Sequence, residues 1–200
     1  PMGTINKPSN IESLIRNLPK TTLLCLDEAY IDFVDTHLIP KISLNTKNVI
    51  RMRTFSKAYG MAGLRVGYAI GEKELILNFE KIRNHFGMSR VSQVGALAAL
   101  EDNEFINKVV NKVALTRSRI ADIATRNNCK FIPSFTNFVA IDCLNDSKFA
   151  KRVLDNLINK GVFVRMPYSF PQNRCIRVTV GLDKDIDLFE KYFPIAIKES

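Results

Sequence analysis

The stretch RMRTFSKAYGMAGLRVGY, Arg51–Tyr68, decides how the rest of the chain is read. It continues a β-favouring run that starts at Val49 and Ile50, and it places Lys57 at the mouth of that strand. Thr54, Ser56, Gly60, Gly63 and Arg65 crowd around the lysine. A lysine after a strand is by default solvated surface charge. One flanked by hydroxyls, glycines and an arginine suits a positioned amine beside an anion-binding loop. Upstream, TTLLCL (Thr21–Leu26) is a short continuous apolar run of the kind buried on both faces of a parallel sheet, and it stops sharply at Asp27 and Glu28. Downstream, LRVGYAIG makes a third strand closing at Gly71. In open α/β sheets, ligands bind beyond the carboxyl ends of the strands. Asp27 and Lys57 both occupy such ends, on strands expected to be neighbours, so one rim receives a carboxylate and an amine.

Outward from this centre, Asn10–Asn17 reads as a short helix with Ser9 as N-cap and Glu12 as its capping-box partner. After Gly71 the period changes. In EKELILNFEKIRNHF, Leu75, Ile76, Phe79 and Ile82 share one face at helical spacing. Val91–Glu101 is a helix rich in small residues, and Glu104–Asn127 is a long amphipathic helix whose length suits a connector between two bodies. The remainder alternates. FTNFVAIDC is a strand, SKFAKRVLDNLINKG a helix ending at Gly161, VFVRM and CIRVTVG two more strands, and Asp185–Phe193 a closing helix. The expected architecture is α/β: residues 1–102 form part of a large domain with a mostly parallel sheet. Residues 103–200 form a small α+β domain with helices on one face of a mostly antiparallel sheet.

Composition bounds the function class. With 46% apolar and 24% charged residues among 200, the chain is an ordinary globular one, able to support its own core. No run approaches the roughly 18 apolar residues of a membrane span. The opening PMGTINKPSN has no charged segment followed by an apolar one, so no secretory signal is expected, and upstream residues are expected to be absent from this chain. Cys25, Cys129, Cys143 and Cys175 are widely separated with no CxxC or Cys/His cluster, so neither a zinc site nor a disulfide framework is indicated. All four read as reduced, buried, small hydrophobes, which fits the cytoplasm. The net charge of +9 comes from 29 basic residues scattered among 20 acidic ones. Clustering rather than total charge marks nucleic-acid binding, so an anionic small ligand fits the excess better than nucleic acid. His37 and His85 have no metal-like or base-like company, and no metal is expected.

An amine and a carboxylate at one rim are what pyridoxal phosphate needs. A partly desolvated lysine forms a Schiff base with its aldehyde, and an acidic group at the pyridinium nitrogen keeps the ring an electron sink. Its phosphate needs hydroxyls, backbone N–H groups and a bidentate cation. Thr54, Ser56 and Arg65 are of those types, Gly60 and Gly63 permit close approach, and Tyr30 lies three residues past Asp27. LDEAYIDF followed by RTFSKAYGMAGLRVGY resembles the fold-type I, pyridoxal-phosphate-dependent aminotransferases, above all the histidinol-phosphate aminotransferase family. The likeness runs over nearly the whole chain and includes TNFVAI and IRVTVG.

The resemblance implies pyridoxal 5'-phosphate as cofactor, with Lys57 as the Schiff-base lysine and proton carrier. It implies Asp27 at the pyridine nitrogen, Tyr30 at the ring hydroxyl, and Thr54, Ser56 and Arg65 at the phosphate. It assigns Arg177 to the substrate's anionic group, Arg165 to a phosphorylated substrate, and Asn137 to the substrate's vicinity. It implies a homodimer that transfers an amino group from a phosphorylated amino alcohol, histidinol phosphate, to 2-oxoglutarate in histidine biosynthesis. Threonine-phosphate decarboxylase, whose DEAF motif is close, and an aromatic aminotransferase are alternatives within the fold. A catalytically silent, dimerising remnant is the alternative outside enzymology. Taken one at a time, Arg65 also suits an intrachain ion pair, Asp27 a helix N-cap and Glu28 a structural ion pair. An arginine on a half-buried strand, such as Arg165 or Arg177, needs an anionic partner. The family's upstream phosphate-binding glycine turn, ring-stacking aromatic and asparagine do not occur in this sequence, and HFGMSRVSQVGALAAL departs from its usual segment.

Overall fold

A computed structural model describes residues 2–200. The chain divides into two compact units, Asn6–Val110 and Asn111–Ser200, the second joined by the N-terminal stretch ending at Ile5.

The first unit is built on a three-stranded sheet. β1 (Leu24–Asp27) runs parallel to β2 (Val49–Thr54), and β3 (Gly67–Gly71) runs antiparallel to β2, giving the order β1-β2-β3. An antiparallel edge strand on a parallel pair is a common mixed arrangement. The register pairs Leu26 with Arg51 and Asp27 with Met52. Because side chains alternate, Asp27, Met52 and Thr54 share one face, while Glu28, Arg51 and Arg53 share the other. On the first face Ile50 is buried, but Cys25, Asp27 and Met52 are exposed, so Cys25 is not buried as expected. An apolar run shows that a strand wants cover, not that both of its faces receive it.

Helix α1 spans Pro8–Arg16, with Lys7 at the cap position and no side-chain cap. The expected Ser9 cap therefore falls inside the helix. Proline supplies the start instead, since the first helical residue has no use for its N–H. The amphipathic segment after Gly71 yields only α2 (Lys73–Leu77) and one 3-10 turn, Asn78–Lys81. Leu75 and Ile76 are half-buried, but Ile82 is 81% exposed and Phe86 95%. A short helix holds only where its apolar face packs, and here packing ends after one turn. Helix α3 (Arg90–Glu101) starts at Ser89, whose side chain accepts the Ser92 N–H at 3.0 Å.

Helix α4 (Asn103–Arg126) has 24 residues, about 36 Å at the helical rise, and the division between the units falls inside it. The second unit contains β4 (Lys130–Ile132), β5 (Phe138–Asp142) and β6 (Cys175–Thr179) in one antiparallel sheet, with α5 (Ser147–Asn159) and α6 (Asp183–Lys198). Its core joins Ile120 and Ile123 of α4, Val139 and Ile141 of β5, Val153 and Leu157 of α5, and Phe189 and Phe193 of α6. The two phenylalanine rings stack with centroids 4.8 Å apart. α6 continues past Pro194, beyond the expected end at Phe193, because buried Phe193 and Ala196 anchor both sides of the proline. VFVRM forms no full strand: Arg165 makes a single antiparallel bridge to Arg177. Among the described residues, no helix is long and apolar enough to cross a membrane.

Candidate active site

In the first unit the parallel pairing of β1 and β2 aligns their carboxyl ends. Asp27 is the last residue of β1 and Thr54 the last of β2, on the same face. Asp27 Oδ1 accepts the Ala29 N–H at 2.9 Å, which turns the chain towards Tyr30. Thr54 Oγ1 accepts the Ser56 N–H at 3.0 Å, starting the loop that carries Lys57. That loop is closed on itself. Phe55 N–H reaches Val66 O at 3.2 Å, Met61 N–H reaches Phe55 O at 2.9 Å, and Gly60 N–H reaches Lys57 O at 3.0 Å. Gly60 adopts φ +70, which a side chain would resist.

Lys57 is flanked by two anchors, since Phe55 and Ala58 are buried on either side of it. Its ammonium lies 5.2 Å from the centroid of the Tyr30 ring, within cation–π reach. Asp27, Tyr30, Thr54, Ser56 and Lys57 are thus gathered at one end of the β1–β2 pair. Arg65 follows the 3-10 turn Ala62–Leu64 in a left-handed conformation, φ 51 and ψ 49. It is exposed and donates to Ala62 O at 2.7 Å. Among the described residues it forms no ion pair.

Sequence reasoning missed the bracing of this rim. Glu28, only 7% exposed, receives Arg51 Nε on one oxygen and Arg53 Nε on the other, both at 2.8 Å. It was expected to pair, but the two-sided clamp follows only from the register. Arg53 would lose basicity by burial, yet its bonds to Glu28 and Tyr68 raise its pKa above the ordinary value. Burial raises the Asp32 carboxyl, partly offset by Arg53, and the nearby Glu28 charge adds to the rise. Burial likewise raises the Tyr59 phenol, with Asp32 and Tyr68 adding to it. A second brace is Ser92 Oγ, which donates to Leu64 O at 2.7 Å and ties α3 to the loop. A serine in a small-residue helix gives no local sign of that contact.

The other expected residues lie in the second unit. Arg165 and Arg177 face each other on one rung and exchange both backbone hydrogen bonds, at 3.0 and 2.6 Å. Arg177 also lies over the Phe138 ring, 4.0 Å from its centroid. Both arginines line a cavity of about 1030 Å³, together with Lys148, Lys151 and Arg152 of α5. The charged residues lining this cavity are all basic, so it suits an anionic ligand. Asn137 is half-buried beside β5, and its carbonyl accepts the Val180 N–H at 2.8 Å. Among the described residues, no group of three or more His, Cys, Asp or Glu could hold a metal ion. His37 and His85 are both exposed.

Known proteins share this fold. Residues 1–188 match the family described as aminotransferase class I and II. The chain is 36% identical over 184 residues to a histidinol-phosphate aminotransferase of Bacillus velezensis, covering 90% of this chain and 50% of that protein. It is 34% identical over 187 residues to one of Aliarcobacter butzleri, again covering 90% and 50%. The crystal structure of histidinol-phosphate aminotransferase from Sinorhizobium meliloti in complex with pyridoxal-5'-phosphate superposes with TM-score 0.96 at 42% identity, over 100% of this chain and 55% of that one. The chain spans about half the length of the curated relatives it matches. The lysine-bearing loop, the aligned carboxyl ends and a match over residues 1–188 lead to one conclusion: the chain belongs to the class I and II aminotransferases, with the fold of the pyridoxal-phosphate-dependent transferases of fold type I.

Proposed function

We propose that this chain is the cofactor- and substrate-binding part of a histidinol-phosphate aminotransferase that uses pyridoxal 5'-phosphate and 2-oxoglutarate in histidine biosynthesis. The observation that supports it most is the joint delivery of Asp27, Thr54, Ser56 and Lys57 to one end of a parallel strand pair, with the Lys57 ammonium 5.2 Å from the Tyr30 ring. The residues fit the cofactor's needs: an amine, a carboxylate, two hydroxyls and an exposed guanidinium. A Cβ added at Gly60 or Gly63 would meet nothing within 4 Å, so the loop leaves open space.

In this reading Thr54, Ser56 and Arg65 would hold the cofactor phosphate, Asp27 would face the pyridine nitrogen, and Tyr30 would face the ring hydroxyl. When bound, pyridoxal phosphate supplies the electron sink that makes a proton on the substrate's amine-bearing carbon removable. Lys57 Nζ is the amine that would hold the cofactor and carry the proton at that carbon. Arg177 and Arg165 take the anionic groups of histidinol phosphate and 2-oxoglutarate, near Asn137. Residues 1–102 make the cofactor-binding domain and 103–200 the small domain, in a cytoplasmic homodimer.

The test presents the cofactor-loaded chain separately with histidinol phosphate, threonine phosphate and phenylalanine. The proposal expects the visible cofactor band to bleach with histidinol phosphate and to return on adding 2-oxoglutarate. Carbon dioxide release from threonine phosphate would support a decarboxylase, and bleaching only by phenylalanine an aromatic aminotransferase. A chain that never takes up cofactor would be the silent remnant.

A further inference from the structure

We propose that Cys129 and Cys143 are a cross-strand dithiol that a hydroperoxide converts into an intrachain disulfide. The β4–β5 register pairs Phe131 with Ile141 and Lys130 with Asp142. One step further along the same ladder sets Cys129 opposite Cys143. The backbone shows which kind of rung this is. Cys129 N–H donates to Ala124 O at 3.0 Å and Cys143 N–H to Arg174 O at 3.3 Å, so neither donates to the other. On such a non-hydrogen-bonded rung the Cα atoms approach to about 4.5 Å, inside the roughly 4.4–6.8 Å that a disulfide accepts. Opposed residues point to the same face, and both cysteines belong to the same core cluster.

Cys175 is the obvious competitor, but the register excludes it. It pairs with Asp142, one residue out of step with Cys143, so alternation sends its side chain to the other face. The two opposed thiols also differ chemically. A hydrogen bond from Cys143 holds the Cys129 thiol below its ordinary range against the effect of burial. The same bond and burial push Cys143 far up. We take Cys129 as the attacking sulfur and Cys143 as the resolving one.

The chemistry balances. Cys129 sulfur attacks one oxygen of the hydroperoxide, an S–O bond forms as O–O breaks, and the departing oxygen takes a proton to leave as alcohol or water. Cys143 sulfur then attacks the sulfenic sulfur, an S–S bond forms as S–O breaks, and the hydroxyl leaves as water with the second thiol proton. Two thiols are oxidised and one hydroperoxide is reduced.

The experiment uses the whole chain carrying Cys25→Ser, which removes the exposed thiol and leaves three. After treatment with hydrogen peroxide, thiols titrated in denaturant should fall from three to one. The mass should drop by two hydrogens, and peptide mapping should join Cys129 to Cys143, reversibly with dithiothreitol. Adding Cys175→Ala should leave the link intact. Adding Cys143→Ala should stop Cys129 at a sulfenic acid that a dimedone reagent traps. Three surviving thiols, a link through Cys175, or oxygen added at Cys129 while Cys143 stays free would each overturn the proposal. The first measurement needs no core substitution, so it decides even if a core variant fails to fold.

Discussion

Glu28 illustrates how one residue holds the rim in place. Its neighbour Asp27 points to one face of the sheet, while Glu28 points to the other and is clamped by Arg51 and Arg53. Removing its charge strands two guanidinium groups that are only 13% and 23% exposed. Glu28→Gln should therefore cost roughly 3 kcal/mol, the range for breaking a buried ion pair from one side, read as a lower denaturation midpoint. A variant as stable as the parent would show that solvent reaches the clamp. At this scale the sequence was most informative about the rim. The residue types around Lys57 and their offsets carried the family, because their chemistry is local. The clamp and the Ser92 brace were invisible, since each joins residues more than twenty positions apart and needs the register to be known.

Elements are held by close backbone approach and by charge. Gly67 pairs with Thr54 at the end of β2, and a Cβ there would lie 2.6 Å from Arg53 O. Gly67→Ala should push β3 away and cost about 1–3 kcal/mol, as overpacking does. Chemical denaturation checks this; an unchanged midpoint would mean that β3 shifts freely. Between α4 and α6, Glu190 bonds Arg126 at 2.6 Å and also Arg119, and these bonds hold its carboxyl below the ordinary range. A carboxyl lowered by folding contributes stability above its unfolded pKa and loses it as pH falls through the folded value. Glu190→Gln should then cost about 0.5–1 kcal/mol at neutral pH, the scale of screened surface pairs. The deficit should vanish in acid, as thermal unfolding across pH would show. A deficit independent of pH would point to packing instead. Helices α3 to α6 were legible because each shows a helical period or a cap. The segment after Gly71 was misread because periodicity reports a face that wants burial, and Ile82 and Phe86 find none.

For the whole molecule, the account rests on two compact units, the first carrying six of the expected residues, Asp27 to Arg65, and the second three, Asn137, Arg165 and Arg177. One gathers the amine, carboxylate and hydroxyls at a strand end; the other sets two arginines on one rung beside a cationic cavity. The α/β class and the antiparallel second sheet followed from run lengths and turn residues. The exposure of Cys25 did not, because cover over a sheet face is a property of the assembled fold. The most direct measurement adds pyridoxal phosphate to the purified chain, traps the adduct with borohydride and maps the modified peptide. The account predicts a visible absorption band, a single label at Lys57, and loss of both in Lys57→Ala. Labels spread over other lysines, or a band that survives in Lys57→Ala, would contradict it.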